Sequence, residues 1–146
     1  MKSAFSLLEI IIVVIIVSIL ASIAFPGMVR MYETNMDKEA MSSLKLIQAA
    51  EDSYYLEESE YFETDVGCET NPGFSYADTI NSNLVLRLST INWEYCVDNI
   101  GGFSAWARRT MATNPSASPY RTLVLRKGSL EACCDTDCKT TTPACP

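Results

Sequence analysis

The sequence predicts an α+β protein: one long N-terminal α-helix packed on a small antiparallel β-sheet of about four strands, with a disulfide-stapled C-terminal tail. Three observations lead there. From Ile10 to Val29 the chain carries no charged residue and is almost wholly apolar. From Met36 to Tyr54 apolar residues then recur at three- and four-residue steps. After Asn83 the pattern changes to alternation between turns rich in Gly, Asn and Pro, the period of a half-buried strand.

Size and composition narrow the functional classes. The chain has 146 residues, about one ordinary domain. Eleven Lys and Arg against eighteen Asp and Glu leave a net charge of −7, the wrong sign for a duplex nucleic-acid binder. There is no histidine, which excludes Ser-His-Asp and Cys-His catalysis and His-ligated zinc or haem. A hydrophobic fraction of 48% is too apolar for a disordered chain.

The N-terminal run is the first element. Ile10 to Val17 is entirely Ile and Val, a composition that suits a buried strand, but the apolar stretch is longer than a strand uses. About 20 helical residues span the roughly 30 Å hydrocarbon core of a bilayer, and in lipid a helix satisfies every backbone group within the segment. Segment 5–27 is therefore read as a transmembrane helix. Lys2 and the amino group, the only charges before it, place the start in the cytoplasm and the rest outside. A plain anchor and a secretory signal peptide cut after Ser22-Ile23-Ala24 both meet the same difficulty, which is Glu9. A carboxylate within an apolar span costs about 2.5–3.5 kcal/mol on insertion scales, and such groups have a functional partner.

Ala4-Phe5-Ser6-Leu7-Leu8-Glu9, followed by the apolar helix and Pro26, resembles the class III signal of type IV prepilins and type II secretion pseudopilins. The resemblance implies a leader of residues 1–4, cut by a prepilin peptidase between Ala4 and Phe5, and N-methylation of Phe5. The residue before the cut is usually Gly; here it is Ala4. The resemblance also implies the partner that Glu9 needs. The freed Phe5 amine has a pKa near 8 and is cationic at neutral pH. In a filament cored by these helices, Glu9 of one subunit pairs with the Phe5 amine of its neighbour and fixes their axial register.

Segment 28–60 is rich in helix formers, with no Gly or Pro between Met28 and Leu56. Met36, Ala40, Leu44, Ile47, Ala50 or Glu51, and Tyr54 form one apolar stripe. Pro26 removes a backbone hydrogen bond and Gly27 loosens the next turn, so the pair is expected to kink or locally melt one long helix of roughly 80 Å. The stretch from Ala49 to Tyr55, with its double Tyr, also resembles the pilin pattern that closes the long helix.

Residues 61–83, with Gly67, Asn71-Pro72-Gly73 and Asn81-Ser82-Asn83, read as the helix-to-sheet loop. The sheet is assigned to 84–130, with strands at 84–88, 93–98, 103–108 and 121–127. Gly101-Gly102 and the Pro115 to Pro119 segment supply turns.

The tail, 131–146, has four cysteines and little that can pack. Cys133, Cys134, Cys138 and Cys145 lack the paired spacing of zinc sites, and Asp135 and Asp137 are too few oxygens for a calcium loop; no metal and no cofactor is expected. In an exported domain, Cys68, Cys96, Cys133, Cys134, Cys138 and Cys145 are disulfide candidates, with fifteen pairings open. Adjacent cysteines rarely bond to each other, so Cys133 and Cys134 point to different partners. At least one tail cysteine is expected to pin the tail to the body through Cys68 or Cys96.

Charge is polarised: residues 33–65 hold ten acids and two bases, residues 87–127 six bases and two acids. This fits either a solvated acidic helix over a basic sheet, or contacts between oppositely charged surfaces of neighbouring subunits. With no catalytic constellation visible, the resemblance implies a non-enzymatic, pilin-like filament subunit. Its partners are further copies of itself, the prepilin peptidase, an inner-membrane assembly platform and, before assembly, the membrane. It would pass once through the inner membrane, then enter a cell-surface filament. A pseudopilin, periplasmic in that case, and a membrane-anchored binding module that never polymerises are the alternatives. Adhesion, motility, DNA uptake and secretion are all compatible with such a filament.

Overall fold

From Leu7 to Glu58 the backbone forms one α-helix, α1. The structure, a computed structural model, describes residues 7–64, 68, 76–99, 102–110, 121–136 and 143–145. The chain divides into two units, Met1–Asn35 and Met36–Pro146.

In the first unit α1 is apolar all round, and no side chain described between Leu7 and Tyr32 is buried. Its few hydroxyls turn back onto the helix. Ser18 donates to the Val14 carbonyl at 2.6 Å, Ser22 to Ile19 at 2.7 Å and Thr34 to Arg30 at 2.9 Å. Each of these three hydroxyls thus finds its partner inside the helix, as an apolar medium demands. The backbone stays helical through Pro26 and Gly27, so the local melting expected there does not occur. Proline costs one hydrogen bond, which a helix continuing on both sides absorbs.

In the second unit, four antiparallel strands follow one another across a single sheet: β1 (Trp93–Asp98), β2 (Ser104–Arg109), β3 (Thr122–Arg126) and β4 (Cys133–Thr136). Alternation sorts their side chains. Trp93, Tyr95 and Val97 of β1, Ala105 and Ala107 of β2, Leu123 and Leu125 of β3 and Cys134 of β4 enter one core with Met36, Ala40, Leu44 and Ile47 of α1. The helical stripe read from the sequence is the buried one. Ala107 stands opposite both Tyr95 and Leu123 in the ladder, so small residues at the sheet's centre leave room for larger neighbours.

The opposite face carries a row across the strands, Cys96–Trp106–Val124–Cys133, each residue paired with the next. Cys68, Tyr76 and Cys145 pack over it.

Two elements differ from expectation. Segment 84–88 is not a strand. Leu84 closes a short helix, α2 (Ala77–Asn83), inside the stretch expected to be loop. The Leu86 N–H bonds the Asn81 carbonyl, and the Leu88 N–H bonds the Asn81 side chain at 2.8 Å. The alternation there is real as burial but forms no ladder. The fourth strand lies instead in the tail, which was expected to pack poorly. Ala132 and Cys134 are buried in the core, and residues 143–145 return beside β4 through hydrogen bonds between Cys134 and Pro143 and between Cys145 and Cys134.

Candidate functional site

Glu9 lies in the first turn of α1, where a carboxylate favours the positive end of the helix dipole. It is exposed, amid residues that are themselves exposed and apolar. Ile10 to Val17 are each 48–57% accessible. Among the described residues α1 is long and apolar enough to cross a membrane. Ala4 and Phe5, the expected cleavage site and amine, lie outside the described residues. Gly27 has open space where a Cβ would stand, so no close packing within this chain dictates glycine there.

The cysteines resolve differently from one expectation. Cys68 bonds Cys96, with Cα atoms 5.8 Å apart, and Cys133 bonds Cys145, with Cα atoms 4.8 Å apart. Cys134 is also disulfide-bonded, and Cys138 lies outside the described residues. The adjacent cysteines do face opposite sides of β4. The tail, however, is not pinned to the body through Cys68 or Cys96. Cys96 is on β1 and Cys133 on β4, three strand spacings or about 14 Å apart, whereas a disulfide joins Cα atoms no more than about 7 Å apart. The ladder between β3 and β4 anchors the tail instead.

Three features escaped the sequence reading. Asp37 and Arg121 are both buried, and Arg121 Nη2 donates to Asp37 Oδ2 at an N···O distance of 2.6 Å, tying α1 to the start of β3. Asp37 sits beside the apolar stripe, the one available signal. Glu51 occupies the stripe itself and is fully buried. Its Oε2 accepts the Phe62 N–H at 3.0 Å, while Oε1 has no partner among the described residues. Burial, opposed by the Phe62 hydrogen bond and aided by nearby Asp52, pushes its carboxyl up to about 7. The third is an aromatic group at the end of α1. Tyr55 stacks on Tyr61 with ring centroids 4.6 Å apart, Tyr61 lies 5.9 Å from Phe103, and the Lys127 ammonium stands 4.6 Å from the Tyr61 ring.

The fold and these positions define a class: a sheet domain backed by one stripe of a helix whose other half is bare, apolar and marked by a single acid. Sequence comparison points the same way. The chain is 31% identical over 80 residues to the type IV major pilin protein PilA of Myxococcus xanthus (strain DK1622). The match covers 53% of this chain and 36% of the relative, so the chain spans about a third of that protein's length. The similarity supports the type IV pilin family for this chain. No family model and no solved structure matches it.

Proposed function

We propose that this chain is a non-catalytic structural subunit of a type IV pilus-like filament. The observation that carries the reading is the first half of α1, a bilayer-length apolar helix with no face buried and one carboxylate near its start. Such a surface requires an apolar surrounding that the described residues of its own chain do not supply: lipid before assembly, the helices of other copies after it. The likeness to a major pilin supports the same reading.

On this reading the subunit waits in the inner membrane with its sheet domain outside. A prepilin peptidase removes residues 1–4, Phe5 is methylated, and an assembly platform draws the helix into the polymer. There Glu9 meets the Phe5 amine of a neighbour. An unpaired carboxylate in a dry helical core is costly, so each subunit stops where that pair forms. Pro26 and Gly27 supply the point at which the helix bends as it passes from lipid to filament.

Intact mass spectrometry of the chain from cell membranes and from the sheared surface fraction tests the proposal. A chain beginning at Phe5 with one added methyl is expected. A chain beginning at Phe25 marks an ordinary secretory signal, and one retaining Met1 marks a simple anchor; either removes the filament reading.

A further inference from the structure

Among the described residues, only Ser59 and Val85 are non-glycine residues with φ in the left-handed region, at +63° and +53°. Each follows the C-terminus of a helix, α1 and α2 respectively. That position ordinarily holds Gly, because a side chain there is strained, and a β-branched one most of all. Among the described residues nothing covers Val85, which is 88% exposed.

The turn that presents Val85 is nevertheless firmly built. Leu84 and Leu88 are buried on either side of it, and Asn81 binds the backbone of both Leu86 and Leu88. Buried and exposed positions alternate, so Val85 and Arg87 both face outward. The result is a fixed corner offering one aliphatic group and one guanidinium.

The end of α1 has the complementary character. Leu56 is 84% exposed, and Glu57, Glu58 and Glu60 around it are exposed too. Acids at a helix C-terminus oppose the helix dipole, and the last turn of α1 holds no basic residue to offset them. The subunit's own stability therefore explains neither patch. Ile91 and Leu130 are also exposed aliphatics, but at ordinary backbone angles.

We infer that the Val85–Arg87 corner of one subunit docks on the end of α1 of a second copy, with Val85 against Leu56 and Arg87 among Glu57, Glu58 and Glu60. The inference rests on the filament reading and adds to it a specific contact outside the apolar helix. Opposite charge selects the pairing. Because the two patches are different surfaces of one chain, the contact is head-to-tail, the kind that propagates into a helical polymer when its rotation does not close a ring.

The test uses the full-length chain expressed in its host, with sheared filament yield divided by membrane subunit level, and thermal melting in detergent. Val85→Gly is expected to melt no lower than the parent and to cut the filament yield about tenfold, equivalent to ~1.4 kcal/mol per contact. Arg87→Glu alone, and Glu57→Arg with Glu58→Arg, are each expected to cut it similarly. Combining all three charge changes is expected to restore yield to within about twofold of the parent. Parental yields from both Val85→Gly and Arg87→Glu overturn the inference, as does failure of the combined exchange to restore what the separate changes lose. A parent chain that forms no filaments under any condition overturns the filament reading first, a different result from parental filaments with indifferent variants.

Discussion

The two halves of α1 share a secondary structure and little else. Between Leu7 and Tyr32 every described side chain is exposed, whereas from Met36 onward one stripe in four-, four- and three-residue steps disappears into a core. The first half is the more apolar, yet the second is the one that finds partners within its own chain. Apolar content thus says that a surface must be covered; only its distribution around the helix says by what. A stripe suits a sheet, and a full cylinder suits lipid or other helices.

The largest expected effect separates the halves outright. Glu9→Leu removes the only acid from the apolar half, so membrane insertion should improve slightly and folding of the sheet domain should not change. In the proposed polymer it strands the neighbour's amine, a loss of about 3–5 kcal/mol at every subunit, and sheared filaments should disappear while membrane levels hold. Normal filaments would leave Glu9 without a role. Glu9→Gln keeps the shape and part of the hydrogen bonding, and should impair assembly less.

The converse change is Asp37→Ala in the second half. It leaves buried Arg121 without its carboxylate, and the domain should lose about 3–5 kcal/mol in denaturant titrations while membrane insertion stays normal. A loss below about 1 kcal/mol would show that the pair adds nothing to holding α1 on the sheet.

The second half was legible in proportion to how local its signals are. Met36, Ala40, Leu44 and Ile47 announce themselves by spacing, and Trp93, Tyr95 and Val97 by alternation, because both patterns follow from which side of an element meets the core. Helix α2 was illegible since Ala-Asp-Thr-Ile-Asn-Ser-Asn is poor in helix formers; Ala77 and Ile80 hold it by burial. Strand β4 was illegible because four residues with two cysteines show no period, and its identity comes from the ladder to β3. Segment 84–88 misled for the opposite reason: its alternation correctly gave burial, but Val85 turns the backbone away from any pairing. At the candidate site Glu9 stood out because it violates its surroundings. Glu51 violates its stripe equally, yet Ala50 beside it offered an apolar reading of the same turn.

Disulfide removal sharpens the contrast within the domain. Replacing Cys68 and Cys96 by Ala opens a 28-residue separation and should cost about 3.5 kcal/mol on the chain-entropy model. Hydrogen exchange should rise around Thr64 and residues 76–90, while the α1 stripe stays protected. Uniform loss of protection would mean that the outer and inner faces of the sheet fold as one.

The smallest effect concerns pH. An acid whose folded pKa lies near 7 against an ordinary 4.5 binds its proton more tightly when folded, so its contribution is full below about pH 4.5 and is lost as pH rises through 7. Wild-type stability should fall by about 3 kcal/mol across that window. Glu51→Gln, which keeps an acceptor for the Phe62 N–H, should flatten this dependence in denaturation midpoints measured from pH 5 to 8. An unchanged slope would place the titration elsewhere.

The row Cys96–Trp106–Val124–Cys133 also has a mechanical meaning. A chain under tension lengthens by paying out residues between the points of load, each worth roughly 3.5 Å when straight. The bridges at its two ends withhold separations of 28 and 12 residues from that extension, about 100 Å and 40 Å of slack. Tension that strips the outer layer from the sheet therefore meets covalent stops at β1 and at β4. The face turned away from the helix yields only a short length before it goes taut.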